Sequence, residues 1–596
     1  MTALRYLILI RRKDIDIEIV SQQVERKTGL SIYPSLDGMT LLISSEKDVI
    51  SLPNGFILGT LFKNDNSARQ HFISQNEYIC KDNKYIISNL FSSHWGSYIC
   101  LYKDRISFSI ARDPSGGLPC YYIERPDIIV FASDVDILCR SGLFTPDINW
   151  TAFVQHLYIP DLPSTETALQ GLKQIASGTI YEQREQRSTI STIWNPWEFA
   201  HRPGTTSVSM AVERLEQTIL FCCAAWSSCY PKALLSLSGG LDSSIVAAAL
   251  HAAHSELSCL TMTHHDLIGD ERQFARTVTN ALGYELIEAE YDLNEIDVQQ
   301  SAYAHLPRPG GRTQLLASRA KILEAARLEK KDAIFTGNGG DAVFHITRSV
   351  DAIVDRFRTE RIGSGLLDTI LDICHLTGNS IWRVIFDANR VSRRRPNYIW
   401  EKDGSYLNNN IIRDEDGDLI HPWLDAPKNA LPGKATHISM LLRTQNHLEG
   451  FDRNLGFSII NPLMSQPIME LCLRIPSWEA CAGGRNRAVA RAAFNRRLPH
   501  STVNRRTKGS PDGFAAAIVD HFRDAIRTRL LDGTMSNQRL LDRPALEYAL
   551  RDDAGEYGIT FVRLLLLLDA EAWAETWIGR GRAIEGGSLE PKTKHG

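Results

Sequence analysis

The chain has 596 residues and a mass of 66.9 kDa, and its 43% hydrophobic and 23% charged content fits a globular protein with a sizeable core. Its 66 basic and 70 acidic side chains leave a net charge of −4, which removes any global case for nucleic-acid binding. The apolar stretch Tyr6–Ile10 is too short for a signal core or a bilayer span, and the eleven cysteines form no C-x-x-C pair, so a cytoplasmic chain with reduced thiols and no membrane contact is expected.

Upstream of residue 195, short β-branched or aromatic runs separated by turn residues predict strands over Tyr6–Ile10, Gly55–Leu61, Ser97–Tyr102, Ile106–Ile110 and Ile128–Ala132. Asn149-Trp150-Thr151 spells a glycosylation sequon, a chance match in a cytoplasmic chain. Asn195-Pro196-Trp197 and His201-Arg202-Pro203-Gly204-Thr205-Thr206 break regular structure, which places a linker over 195–208. Beyond it the pattern alternates. Strand Ala233–Leu237 is followed by helix Ser243–Ala253, strand Ser258–Met262, and helix Glu271–Leu282 stopped by Gly283. Strand Tyr284–Ala289, helix Leu315–Lys330 and strand Ala333–Thr336 continue it. Such alternation implies a parallel sheet covered by helices. After residue 345 the chain reads as mostly helical, with Leu564–Leu568 inside a buried helix and 579–596 as a fraying tail.

The strongest motif is Ser238-Gly239-Gly240-Leu241-Asp242-Ser243-Ser244, set between a buried strand and an Ala-rich helix. Two glycines let backbone N–H groups approach an anion, the helix N-terminus adds its dipole, and three hydroxyls can donate to phosphate oxygens. Asp242 would repel a bare phosphate and therefore calls for a cation; Mg²⁺ held by one or two carboxylates plus phosphate oxygens meets that need. A plain helix cap requires only one such residue. No G-K-[S/T] follows, so this is not a Walker loop; it is similar to the pyrophosphate loop of ATP pyrophosphatases. A second cluster, Thr336-Gly337-Asn338-Gly339-Gly340-Asp341, also lies just beyond a strand end, where open parallel sheets carry their ligand loops. Asp242 and Asp341 are expected to share one Mg²⁺. Asp270-Glu271 at a helix start reads most simply as capping. The run Arg485–Lys508 holds eight basic residues and no acid. A solvated helix face is the ordinary meaning of such a run, but Lys508 falls in the loop after Leu498-Pro499, where it could stabilise charge on departing pyrophosphate.

Together these residues resemble the asparagine synthetase family over nearly the whole chain. The S-G-G-x-D-S-S loop, the D-E-x-x-x-A helix start and the G-x-G-G-D turn occur in the family's order, and Ala490–Phe494 through Arg506-Thr507-Lys508-Gly509 resembles the end of its synthetase domain. Upstream, Arg112-Asp113-Pro114 through Tyr121-Tyr122 resembles a stretch of its glutamine amidotransferase domain, followed by Phe131-Ala132-Ser133-Asp134. The fold class implied is α+β and α/β. Residues 1–195 are an Ntn-hydrolase-like β-sandwich with helices, glutaminase-like and without activity. Residues 209–578 are a parallel-sheet ATP-pyrophosphatase (adenine nucleotide α-hydrolase-like) synthetase domain with a helical C-terminal part. Residues 579–596 are a flexible tail. The resemblance implies ATP and Mg²⁺ as cofactors, with Asp242, Asp341 and Lys508 catalytic and the two aspartates on the metal. It implies Ser238, Gly239, Gly240, Asp242, Ser243, Ser244, Met262, Thr336, Gly337 and Lys508 on the nucleotide.

Two departures narrow it. A working glutaminase needs cysteine immediately after the initiator methionine; here position 2 is Thr2 and the nearest cysteine is Cys80, so no glutamine hydrolysis is expected. The family's glutamate within the second loop is Asn338, and the acid after the loop aspartate is Ala342. Both departures fit the lasso peptide macrolactam synthetases, which resemble asparagine synthetases without the glutaminase cysteine. Gly59-Thr60-Leu61-Phe62, Trp95-Gly96-Ser97-Tyr98, Arg112–Tyr121 and Arg506-Thr507-Lys508-Gly509 are most similar to that branch, with β-lactam synthetases the nearest competitor; the alternatives are an ammonia-dependent amide-forming enzyme on a small acid and a non-catalytic nucleotide-binding scaffold. The partners implied are a precursor peptide, a leader-peptide-binding protein and a leader protease, with no nucleic acid. Glu449 and Asp452 are candidates for orienting the attacking amine, against a plain structural ion pair for each.

Overall fold

The computed structural model describes residues 3–13, 15–64, 83–185, 187–200, 207–263, 270–394, 398–414, 421–505, 512–551 and 558–586. In the N-terminal half the strands are β1 (Tyr6–Arg11), β2 (Ser31–Leu36), β3 (Met39–Ile43), β4 (Val49–Leu52), β5 (Gly55–Lys63) and β6 (His94–Lys103). They continue as β7 (Ser107–Arg112), β8 (Tyr121–Glu124), β9 (Ile128–Ala132), β10 (Leu172–Gln174), β11 (Thr179–Arg184) and β12 (Arg187–Thr192). They form two six-stranded sheets with the orders β10-β8-β9-β1-β3-β2 and β12-β11-β7-β6-β5-β4, antiparallel throughout. Tyr6, Ile8 and Ile10 of β1 pack with Phe56 and Leu58 of β5 and Ile99 and Leu101 of β6, so one face of each sheet meets the other. Leu7 and Leu9 point the opposite way, into a cluster with Val24, Phe153 and Leu564–Leu568. Period-two alternation places these residues on opposite faces, and both faces are apolar because each sheet is covered on both sides.

The C-terminal half contains β13 (Lys232–Ser236), β14 (Glu256–Thr263), β15 (Glu285–Glu290), β16 (Ala333–Thr336) and β17 (Ser458–Ile460), all parallel in the order β15-β14-β13-β16-β17. Ala233, Leu234 and Leu235 are fully buried, as a central parallel strand covered by helices on both sides requires. The chain steps from β13 through β14 to β15, then returns to place β16 on the other side of β13. That reversal opens a crevice between β13 and β16 at their carboxyl ends, the usual ligand position in open α/β sheets.

Three boundaries differ from expectation. Residues 195–200 are not linker: Trp197 is buried, its indole N–H donates to the Trp423 carbonyl at 2.9 Å, and Trp194 stacks on Phe199. Residues 201–206 of the expected linker lie outside the described residues, and helix Val208–Cys229 follows them. The C-terminal helix Gly558–Glu585 continues through 579–585, where a tail was expected, and Gly581 approaches the Pro146 carbonyl. The strand β17 was not anticipated in a stretch read as helical; three residues become a strand only because Ile459 and Ile460 pair with Ile334 and Phe335. The two halves are also not separate cores. The cluster around Leu564–Leu568, Trp573 and Trp577 includes Leu7, Leu9 and Phe153, and Trp226 stacks edge-on against Phe62 and Trp95. Asn149 serves as the N-cap of helix Trp150–Tyr158.

Candidate active site

The loop after β13 turns on Gly239, whose φ of +65° is left-handed; a Cβ there would lie 2.5 Å from the Phe274 carbonyl carbon and the Ala275 nitrogen. Only glycine meets both demands. The chain then enters helix Leu241–Ala252, with Gly240 as N-cap. Ser238 and Ser243 face each other at 3.4 Å, and the Gly240 N–H donates to Ser238 Oγ at 3.3 Å. The loop after β16 packs directly on this helix. A Cβ on Gly340 would lie 2.4 Å from Cβ and Cγ of Asp242, so the two motifs touch through the carboxylate-bearing residue itself. Thr336 Oγ1 donates to Asn461 Oδ1 at 2.6 Å, tying the second loop to the end of β17.

Asp242 and Asp341 converge. Arg487 Nη1 donates to Asp242 Oδ1 at 3.0 Å and Oδ2 at 2.8 Å, and also to Asp341 Oδ1. Arg487 has left-handed backbone geometry (φ 55°, ψ 37°), which costs a non-glycine residue roughly 1–2 kcal/mol. A cleft enclosing about 1670 Å³, open to solvent, is lined by Ser238, Gly240, Asp242, Ser243, Thr336, Gly337 and Asp341, together with Arg348, Arg443, Arg487, Arg491 and Arg505. Burial, reinforced by the neighbouring Arg487 charge, lowers Arg491 to about 10, so it stays cationic at neutral pH. Arg505 pairs with Glu271 at 2.6 Å and lies 3.7 Å from the centre of the Phe274 ring. The acids at the start of helix Arg272–Leu282 therefore do not simply cap it: Glu271 holds Arg505, and Asp270 accepts from the Arg272 backbone and side chain.

A model of the asparagine synthase family matches residues 232–578, more than half of the chain. The chain belongs to the asparagine synthase family. At the family level it is an ATP-dependent ligase that forms carbon–nitrogen bonds. No curated protein matches it. Among solved structures it is similar to the allosteric regulatory enzyme of purine biosynthesis, with 10% identity, a TM-score of 0.22, and coverage of 48% of this chain and 80% of that one. It is also similar to glutamine phosphoribosylpyrophosphate amidotransferase from B. subtilis, with 11% identity, a TM-score of 0.21, and coverage of 56% and 90%. Both TM-scores are too low to equate the folds.

Several expected site residues of this asparagine synthase domain fall elsewhere. Ser244 is fully buried and its hydroxyl donates to the Gly240 carbonyl at 2.6 Å, which turns it away from the cleft. A serine four residues past a helix N-cap satisfies its own backbone more readily than a ligand. Met262 packs with Leu234, Leu260 and Ile334 against the sheet rather than on the cleft wall. Thr2, Cys80 and Lys508 lie outside the described residues. Conversely, Arg348, Arg443 and Arg487 line the cleft with no role assigned from sequence. Arg487 sat in the basic run, and Arg348 and Arg443 carried no local signal at all.

Glu449 and Asp452 line a different cavity between the two halves, whose walls include Ala3, Asn461 and Met464. Glu449 accepts from the Tyr121 hydroxyl at 2.7 Å and lies 3.8 Å from Arg112. Asp452 caps the turn Arg453–Leu455, and burial raises its carboxyl. Among the described residues no group of three or more His, Cys, Asp or Glu could hold a metal. Two converging carboxylates at an open cleft nevertheless suit Mg²⁺, which takes one or two carboxylates and draws its other ligands from phosphate and water. The ten described cysteines are free thiols, and no helix among the described residues is long and apolar enough to cross a membrane.

Proposed function

We propose that this ligase is an AMP-forming lasso peptide cyclase acting in the cytoplasm. It would activate an Asp or Glu side chain of a core peptide and join it to the peptide's own N-terminal amine. The observation that carries this reading is the convergence of Asp242 and Asp341, read as the nucleotide-activating pair, beside a wall without the family's acids. Asn338 there donates to the His447 carbonyl at 3.4 Å, and Ala342 is packed in the core, where a charged side chain would be buried at high cost.

In this mechanism the loop amides of Gly239 and Gly240 and the hydroxyls of Ser238, Ser243 and Thr336 orient the triphosphate. Arg491, Arg505 and Lys508 stabilise negative charge as pyrophosphate leaves. Asp242 and Asp341 would hold Mg²⁺, which would supply charge neutralisation for the polyphosphate. The peptide carboxylate attacks the α-phosphorus, giving an acyl-adenylate and pyrophosphate. The N-terminal amine then attacks the acyl carbon, expels AMP and closes the ring. Holding both ends of one chain makes that step intramolecular, an advantage on the order of several kcal/mol. A leader-peptide-binding protein and a leader protease would deliver the peptide, and with Thr2 in place of cysteine glutamine would not serve as a nitrogen source.

The test is mass spectrometry of the protein with ATP, Mg²⁺, a candidate precursor peptide from its gene neighbourhood and the leader protease system. A core peptide lighter by one water, with AMP and pyrophosphate formed in equal amounts, is expected. Linear peptide with a working protease, together with turnover of a small acid and ammonia, would replace this reading with a small-molecule amide or β-lactam synthetase.

A further inference from the structure

One guanidinium nitrogen serves both aspartates of the cleft. Arg487 Nη1 touches both oxygens of Asp242 and one of Asp341, and the Arg487 side chain is about one-tenth exposed. A divalent cation bound to both carboxylates at ordinary coordination distances would occupy the same space, so the two cations exclude each other.

The local structure holds Arg487 for this contact. Its left-handed backbone opens helix Ala488–Ala493, and Asn486 Oδ1 accepts from Nε of Arg487 at 3.4 Å and from Nη2 of Arg491 at 3.3 Å. A strained residue clamped by its neighbours is the kind of feature that marks a functional constraint. The charge balance adds a reason for exchange. Five arginines line the cleft beside Asp242 and Asp341; Arg505 is paired with Glu271 and Arg443 with Asp161, so the excess suited to a polyanion rests on Arg348 and Arg491. When a divalent cation replaces the guanidinium on the carboxylates, phosphate oxygens in the same cleft would give the freed Arg487 a new partner.

We propose that Arg487 is the resting counter-cation of Asp242 and Asp341. It closes the carboxylate pair to free divalent ions, and it turns onto the phosphate chain when metal and nucleotide arrive together. The proposal rests on the reading of this cleft as a nucleotide site. It makes Arg487 a positioning residue that enforces joint loading, whatever acyl acceptor the enzyme uses.

Mn²⁺ is the probe, followed by electron paramagnetic resonance on the full-length protein without peptide. Nucleotide-free wild-type protein is expected to bind Mn²⁺ no tighter than D242N does. R487Q is expected to bind Mn²⁺ about tenfold tighter than wild type without nucleotide, and to bind a non-hydrolysable ATP analogue about tenfold more weakly, the scale of one partly screened charge. Tight Mn²⁺ binding by nucleotide-free wild type that D242N abolishes would overturn the proposal, and that comparison stands even if R487Q fails to fold. Folded R487Q with wild-type Mn²⁺ affinity would overturn it too. Absence of Mn²⁺ binding with the nucleotide analogue present would overturn the nucleotide reading along with it. Failure to cyclise a peptide touches none of these readouts.

Discussion

Residues 443–464 form a shared wall, with Arg443 and Thr444 on the cleft of Asp242 and Asp341 and Glu449, Phe451, Asp452, Arg453, Asn461 and Met464 on the chamber between the halves. The two sides handle charge differently. On the cleft side Arg348 and Arg491 add to the pairs Arg487–Asp242, Arg505–Glu271 and Arg443–Asp161, and Asp341 keeps a side chain 40% exposed. On the chamber side several carboxylates are held by partners: Glu449 is shared by Tyr121 and Arg112, and Arg5 pairs with Asp134 and Asp136. Burial, aided by the Arg319 charge, holds His305 down to about 3 while it hydrogen-bonds the Glu449 carbonyl. Spare positive charge at a solvated mouth suits a site that must receive a polyanion. Balanced, dehydrated charge suits an interface that holds two sheet systems in register.

The sharpest way to break this contrast is to disable one side alone. D242N should lower ATP–pyrophosphate exchange driven by the acyl substrate by about 10³-fold, the scale of a lost charge-stabilising group, with an unchanged melting temperature. Exchange at the wild-type rate would remove the cleft from the chemistry. G340A should come next, because its methyl would displace Asp242; a shift near 1 Å at a reacting centre costs about 10²-fold in rate. A G340A enzyme with full exchange activity would mean that the position of Asp242 is not critical.

The chamber side should respond in stability instead. His305 titrates near 3 when folded against an ordinary 6.5, so its contribution is complete above pH 6.5 and is lost as pH falls toward 3. Between pH 7 and 5 that amounts to about 2 kcal/mol. H305Q should therefore flatten the acid limb of a urea-unfolding series, and an unchanged limb would show that His305 is not buried neutral. Smallest is Tyr121→Phe, which removes one hydrogen bond to Glu449 and should cost about 1 kcal/mol in unfolding free energy while leaving exchange within about twofold. A large loss of exchange in that variant would show that the halves are coupled more tightly than their charge patterns suggest.

Much of the site was legible because its signals are local. A buried strand, two glycines and an Ala-rich helix are contiguous, and the second glycine loop follows another strand end, so the crevice could be placed without coordinates. Ser244 misled because its spacing from Gly240 offers a backbone acceptor that the motif does not show. Edge strands such as β10 and β12 carry little apolar pattern: Arg187–Thr192 is largely exposed and becomes a strand only by pairing with β11. The aromatic residues at 194–199 were masked by neighbouring prolines, although Trp194 and Trp197 pack against Trp423 more than two hundred residues away.

The sequence by itself determined the family, the parallel sheet, the two loops and the pair of aspartates, since each rests on short contiguous runs with one physical meaning. Only the tertiary structure decided which basic residues serve the cleft. A run of arginines means solvated surface or anion site according to what it faces, and Arg487 faces Asp242 and Asp341 across 245 and 146 residues of chain. Direction of that kind is set by packing between distant segments, and no local pattern encodes it.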